Sequence, residues 1–151
     1  TISGSIQNVN KLTLSNGIAK NEKKDIDQKF TELTATTITG STFNDTLSFG
    51  NDTKVKVWDE FSLGEGNDTL KFGNFADAEI GGLLDFGEGE KDTLTIGKNS
   101  IVKVTNLDVN SLEKLTIGKE SQLLIADNEQ LNQAKEKWSK YADQIVLWEK
   151  K

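Results

Sequence analysis

The chain has no cysteine, histidine, arginine, methionine or proline among its 151 residues. The absence of cysteine excludes a disulfide framework and thiolate zinc sites. Without histidine as well, imidazole metal sites and catalytic triads of the Ser-His or Cys-His kind are excluded. All 18 basic residues are lysines and the formal net charge is -6. Because an acidic chain without guanidinium groups is poorly suited to phosphate backbones, we expect no nucleic-acid partner.

Long apolar runs are also missing from the sequence. No stretch approaches the about eighteen apolar residues of a membrane span, so we expect no transmembrane segment. A length of 151 residues is typical of one domain with its own core, which predicts a single domain over 1–151. The absence of methionine, including at position 1, leads us to expect a fragment, a processed product or a domain of a longer protein.

The sequence repeats itself. Three stretches end alike, FNDTLSFG at 43–50, GNDTLKFG at 66–73 and EKDTLTIG at 90–97. Their aspartates, Asp45, Asp68 and Asp92, are 23 and 24 residues apart. Each unit is a turn followed by one strand. Two further stretches, SIQNVNKLTL and DVNSLEKLTIG, share a different pattern in which apolar residues fill the bend, and we interpret them as metal-free turns of the same array.

A fixed period near two dozen residues is typical of solenoids, in which each repeat buries its inner face only against the next one. The glycines that end the repeats are Gly50, Gly73, Gly97 and Gly118, and other strand-like segments lie between them. We therefore predict an all-β fold, a short irregular parallel β-solenoid resembling a β-roll. A curled β-sandwich is the alternative. The predicted divisions are a leading strand at 1–20, a helical insertion at 21–36, the β-solenoid at 37–126, and a helical cap with a terminal strand at 127–151.

Two segments have helical periodicity. Residues 21–33 carry Ile26, Phe30 and Leu33 at helical spacing, which predicts one N-terminal helix. Residues 128–142 carry an apolar stripe that includes Trp138, and Asp127 is placed to cap this helix. Since a bare terminal repeat would expose core and strand edge, we expect the second helix to cover the end of the array.

The turn LGEGNDTL at 63–70 combines two glycines with an acidic pair directly before a strand. Glycine permits unusual backbone dihedrals, and converging carbonyl and carboxylate oxygens suit Ca²⁺. No single loop supplies the six to eight oxygens of calcium, so two stacked loops would have to share an ion. The predicted calcium ligands are Leu63, Gly64, Glu65, Gly66, Asn67 and Asp68, with Asp45, Gly87, Gly89 and Asp92 from neighbouring repeats. The alternative is an ordinary turn, since Gly, Asn and Asp also favour turns without a metal.

Residues 63–71 resemble the nonapeptide G-G-x-G-x-D-x-U-x of the RTX (repeats-in-toxin, haemolysin-type calcium-binding) proteins, with Leu63 in place of the first glycine. The resemblance implies a parallel β-roll that binds Ca²⁺ between consecutive turns. It also implies a large secreted surface protein of a Gram-negative bacterium, such as an S-layer protein, adhesin or toxin, that is exported by type I secretion. Residues 127–151 would then lie near the secretion signal.

We therefore expect a non-catalytic, extracellular calcium-binding domain whose partners are calcium and neighbouring domains or copies of the surface protein. Paired carboxylates could serve glycoside hydrolysis, but the acidic residues stand mostly in turns and on outward strand positions, so we expect no enzyme. Two other hypotheses stay open. One is a self-assembling scaffold that does not need calcium, and the other is a carbohydrate-active module that uses Trp58 to contact a cell-surface glycan.

Overall fold

The computed structural model describes residues 5–9, 11–15, 18–21, 24–29, 32–40, 42 and 44–149, with side chains from residue 34 onward. Its strands form two sheets. The nine-stranded sheet consists of β1 (Ser5–Val9), β5 (Glu32–Ala35), β6 (Thr37–Gly40), β8 (Lys54–Val57), β9 (Phe61–Ser62), β11 (Asp77–Asp85), β13 (Ile101–Leu107), β15 (Gln122–Ile125) and β16 (Ile145–Leu147). The seven-stranded sheet consists of β2 (Lys11–Ser15), β3 (Ile18–Asn21), β4 (Lys24–Lys29), β7 (Thr46–Phe49), β10 (Thr69–Phe72), β12 (Thr93–Ile96) and β14 (Lys114–Ile117).

The repeats pair in parallel and in register. In the seven-stranded sheet β7, β10, β12 and β14 are neighbours in that order, so Leu47, Leu70, Leu94 and Leu115 form one row. In the nine-stranded sheet β8, β11, β13 and β15 pair in the same way. The chain passes from one sheet to the other within each repeat. The predicted fold class is thus confirmed as mostly β with parallel sheets.

Alternation of side chains produces the core. In β7, β10, β12 and β14 every second residue is buried, and the residues between them face outward. The inward residues of the two sheets join in one apolar cluster. Within it the rings of Phe49 and Phe72 stack, with centroids 5.2 Å apart and planes inclined by 15°. Because one-residue slips would turn this apolar row to solvent, the core fixes the register.

The C-terminal helix confirms the second helical prediction. Helix α1 (Asn128–Lys137) begins after Asp127, whose side chain accepts the Gln130 N–H, and a 3-10 segment follows at Ser139–Gln144. Leu131, Ala134 and Trp138 are buried. The final strand, β16, then pairs with β15. Among the residues that the structure describes, no helix has the length and apolar character needed to cross a membrane.

The predicted N-terminal helix over 21–33 is wrong. Its place is taken by β4 and the start of β5, and β4 pairs antiparallel with β3 at the edge of the seven-stranded sheet. The reason is that an edge strand tolerates a highly charged sequence. A solvated helix does so too, and helical periodicity alone cannot distinguish the two. The apolar set of the leading repeat, Ile6, Val9, Leu12 and Leu14, lies outside the described side chains, although β2 does join β7 in parallel.

A substitution in the aromatic stack tests this core. Phe72→Ala removes a ring that is fully buried, and we expect it to lower the free energy of unfolding by about 3–5 kcal/mol. Phe75→Ala is the matched control, because Phe75 is 60% exposed and its loss should change stability by less than about 0.5 kcal/mol. Urea unfolding followed by circular dichroism measures both. Similar losses for the two variants would contradict the register described above.

Candidate metal centre

Three aspartates stand on top of one another where the repeats turn into the seven-stranded sheet. Asp45, Asp68 and Asp92 come directly before β7, β10 and β12, and all three are 0% exposed. Backbone bonds link the turns, since the Thr69 N–H donates to the Asp45 carbonyl and the Thr93 N–H to the Asp68 carbonyl, both at 2.8 Å. Neighbouring aspartates are therefore about one strand spacing, roughly 4.8 Å, apart.

Their side chains form a ladder of charge-assisted hydrogen bonds. The Asp45 N–H donates to Asp68 Oδ1 and the Asp68 N–H donates to Asp92 Oδ1, each at 2.7 Å. The Asp92 N–H donates to Glu113 Oε1 at 2.9 Å. Glu113 therefore takes the place of a fourth aspartate. The sequence carried a signal for it, because Glu113 precedes Gly118 by the same five positions that separate each aspartate from its terminal glycine.

Each ladder carboxylate has a second oxygen. Asp68 Oδ2 and Asp92 Oδ2 are buried and have no hydrogen-bond partner. Burial raises the pKa of Asp68 to about 7; the hydrogen bond from Asp45 N–H opposes this shift, while the charges of Asp45 and Asp92 add to it. Burial likewise raises the pKa of Asp92 to about 6, with the Asp68 N–H opposing and Glu113 adding. Such partnerless buried oxygens call for a cation or a proton.

Glycines line the space beside these oxygens. Gly64, Gly66 and Gly87 have positive φ of 79°, 96° and 75°, which confirms that the turn needs dihedrals that favour glycine. A Cβ on Gly89 would stand 2.9 Å from Asp92 Oδ2 and against the Gly66 carbonyl oxygen. Because these glycines lack a Cβ, the backbone of one turn lies close to the carbonyl and carboxylate oxygens of the neighbouring turn, where a side chain would clash.

The same arrangement occurs one repeat earlier. A Cβ on Gly40 would stand 2.6 Å from Asp45 Oδ2 and against the Leu63 carbonyl oxygen. Leu63 itself is fully buried, so its side chain belongs to the core and only its backbone is available to a metal. We call these two places, at Gly40 and Gly89, the two glycine gaps; the name refers to the missing side chains, since backbone and oxygens are in close contact there.

The structure brings together most of the predicted ligand residues. Asp45, Asp68 and Asp92 are stacked, and Gly87 lies with its α-carbon against the Gly64 carbonyl. Glu65 and Asn67 are exposed. The Asn67 amide oxygen is occupied, since it accepts the N–H groups of residues 90 and 91 at 3.0 and 3.1 Å.

Sequence reasoning also missed Asp85. Its Oδ1 accepts the Gly87 N–H at 2.8 Å and so fixes the second turn, and its charge contributes to the raised pKa of Asp92.

No group of three or more acidic side chains converges to hold a metal ion within the side chains described from residue 34 onward. Backbone carbonyls would therefore have to supply much of any coordination shell here.

Without divalent cations, stability should fall as the pH rises. Asp68 and Asp92 have pKa values of about 7 and about 6 in the folded state against an ordinary 3.8, so the folded state holds protons that the unfolded chain has released. The free energy of unfolding should therefore decline from about pH 4 to about pH 7, by on the order of a few kcal/mol. Urea unfolding in EDTA at several pH values measures the decline.

The self-repulsion of an acidic chain also weakens at low pH, so the wild type alone cannot assign the decline to Asp68. The Asp68→Asn variant is therefore unfolded under the same conditions. Asparagine keeps an oxygen that accepts the Asp45 N–H but carries no charge. The variant should show a shallower pH dependence and exceed the wild type in stability near neutral pH in EDTA. Equal slopes for the two proteins would show that Asp68 is ionised without penalty.

No protein-family model matches this chain, and no curated protein or solved structure matches it. The likeness to RTX proteins therefore rests on the residues of the turn at 63–71 and on the recurrence of its aspartate. Function has to be argued from the geometry of the stacked turns.

Proposed function

We propose that this is a non-catalytic structural domain that binds Ca²⁺ between its stacked turns. The observation that carries the proposal is the pair of buried carboxylate oxygens, Asp68 Oδ2 and Asp92 Oδ2, that have no partner in the protein. A calcium ion beside them would satisfy both their hydrogen-bonding capacity and their charge. It would also offset the repulsion between carboxylates that lie one strand spacing apart.

Other turns of the fold are also linked by side chains that accept a backbone N–H from a neighbouring repeat. Comparison with them supports a cation-binding turn over an ordinary turn at the stacked aspartates. At the opposite corner the Ala76 N–H donates to the Ser100 hydroxyl and the Ser100 N–H to the Ser121 hydroxyl, at 3.0 and 2.9 Å. Asn44 also accepts an N–H from the next repeat, that of Asn67, at 2.7 Å. Neutral side chains thus perform the same bridging without a buried charge. The aspartates add only an extra oxygen and a negative charge, which is what a metal requires.

The glycine gaps supply the remaining oxygen ligands. Near Gly89 the Gly66 carbonyl and Asp92 Oδ2 border one gap, and near Gly40 the Leu63 carbonyl and Asp45 Oδ2 border the other. Calcium takes six to eight oxygens at about 2.3–2.6 Å from carbonyls, carboxylates and water. Since Gly89 is exposed, water can complete the shell at that gap.

We further propose that the two sheets form a short parallel β-solenoid, because successive repeats pair in parallel, with a register shift only within the β11–β13 pair among these pairings. The likeness of residues 63–71 to RTX repeats supports a secreted, type I-exported surface protein of a Gram-negative bacterium, such as an S-layer protein or adhesin. Low calcium inside the cell would leave the charged ladder unsatisfied, and calcium outside would stabilise the fold by mass action.

The proposal includes no catalysis, although buried carboxylates with raised pKa values also occur at active sites. Two clefts on the described surface lie elsewhere. One is lined by Ile101, Lys119, Glu120, Ser121, Gln122, Asp143 and Gln144, and the other lies between β14 and the segment 137–141. Neither contains a residue of the stacked turns, so the ladder carboxylates do not face a substrate-sized cavity there.

Calcium should stabilise the protein and Asp68→Asn should remove the effect. At a calcium concentration of about 100 times Kd the expected gain is about 2.7 kcal/mol, or roughly 5–10 °C in Tm for a domain of this size. Asp68→Asn should gain little from calcium even though it is the more stable protein in EDTA. Asp77→Asn is the matched control, because it removes the same charge from an exposed strand position and should respond to calcium like the wild type.

Scanning calorimetry with titration calorimetry separates the outcomes, and light scattering follows the size of the particles. Saturable heat with unchanged size supports an ion-stabilised monomer. Calcium-driven growth in size would favour an assembling scaffold. The proposal fails if calcium neither binds nor shifts Tm, or if Asp77→Asn loses the response as completely as Asp68→Asn.

A further inference from the structure

Trp58 is a large aromatic side chain that the fold leaves outside its core. It is 61% exposed, whereas Trp138 is 8% exposed. The Trp58 N–H donates to the Ala35 carbonyl at 2.9 Å, and the Asp59 N–H to the Thr36 carbonyl at 2.9 Å. The backbone that carries the ring is therefore tied to the preceding repeat, and the ring projects from a rigid support.

A neighbouring cation restricts the ring. Lys56 Nζ lies 4.6 Å from the Trp58 ring centroid, and the same ammonium group is ion-paired with Glu79 on β11. A cation at this distance is attracted to the indole face. Because the ring is oriented before any ligand arrives, less side-chain entropy is lost on binding.

The next repeat leaves the position beside the ring uncovered. Val57 pairs with Ile80, so Gly81 is the register neighbour of Trp58. A Cβ on Gly81 would stand 2.6 Å from the Trp58 carbonyl oxygen, and Gly82 lies against the Asp59 carbonyl in the same way. Strand β11 also shifts register at this point, between Ile80 and Leu83. The two residues of β11 that follow Ile80, Gly81 and Gly82, therefore put no side chain next to the indole, and Glu79 of the same strand reaches the ring only through Lys56.

The surroundings of Trp58 are polar. Asp59 and Glu60 are exposed, and the exposed apolar residue Ile101 pairs in the row of Asp77, four rows from Gly81. That separation is roughly 13 Å along the strands. A protein hot spot needs a cluster of apolar groups that excludes water, which this isolated ring lacks. A pyranose fits better, since it combines one apolar face with a rim of hydroxyl donors.

We propose that Trp58 is the stacking platform of a carbohydrate-binding site for neutral pyranose rings. Asp59, Glu60 and Glu79 are the candidate acceptors for sugar hydroxyls, and their charge disfavours anionic sugars. This inference does not depend on calcium at the stacked turns, because none of the residues proposed to bind calcium belongs to the Trp58 site.

Binding of cellohexaose, chitohexaose and a hexagalacturonate tests the site, with titration calorimetry and tryptophan fluorescence as readouts. The protein is the full chain in calcium-containing buffer, with circular dichroism as the folding check; the heat of each sugar titrated into buffer alone is subtracted, since galacturonate carboxylates bind Ca²⁺. We expect a Kd on the order of 1 mM for at least one neutral hexasaccharide, and no binding of hexagalacturonate. Trp58→Ala should weaken the affinity at least about tenfold, and Trp58→Phe should retain part of it.

Phe75→Ala is the matched control, because Phe75 is 60% exposed and lies far from Trp58 along the strands. Its affinity should equal that of the wild type. The inference is overturned if no neutral hexasaccharide binds at up to about 10 mM. It is equally overturned if Phe75→Ala weakens binding as much as Trp58→Ala, or if hexagalacturonate binds as well as the neutral sugars. Since calcium binding is not read out here, failure of this test leaves the calcium proposal intact.

Discussion

The stacked turns depend on one interaction, the donation of each turn's aspartate N–H to the side-chain oxygen of the equivalent acid one repeat later. Asp45, Asp68 and Asp92 are joined to each other and to Glu113 in this way. These bonds hold neighbouring turns at the spacing of paired strands, so the turns follow the register of the seven-stranded sheet. A slip of one residue would break the ladder and expose the leucine row at the same time. Because both losses occur together, the arrangement is cooperative.

The same interaction creates an electrostatic problem. A carboxylate that uses one oxygen for the ladder still has a second oxygen, and burial leaves that oxygen without water. At the other corner the hydroxyls of Ser100 and Ser121 accept the backbone N–H groups of the preceding repeat and carry no charge. Burial of the acids raises the pKa values of Asp68 and Asp92, whereas serine hydroxyls carry no charge to bury. A corner that keeps its acids is suited to a domain whose stability responds to ions or protons.

The recurrence of Asp-Thr-Leu was sufficient to predict parallel repeats and stacked aspartates, because a fixed spacing in sequence becomes a fixed spacing in a sheet. Positive φ at Gly64 and Gly66 also followed from residue type. The pairing partners of the strands were harder to predict. The segment that contains the strand Lys24–Lys29 was predicted as a helix because Ile26, Phe30 and Leu33 recur at helical spacing, and nothing local marks an edge strand. Asp85 was missed because its role is to accept a backbone N–H two residues ahead, which spacing between repeats cannot reveal.

The ladder has a defined end, and this limits where an ion could bind. Glu113 closes it by accepting the Asp92 N–H, but the preceding bend at Val109–Ser111 is a 3-10 segment with Val109 and Leu112 buried. This bend is apolar and contains no glycine, so it has no counterpart of the glycine gaps. Calcium, as proposed, would therefore be confined to the gaps at Gly40 and Gly89. Glu113 would act on the second gap through Asp92, by fixing the backbone of the turn that carries the ligand.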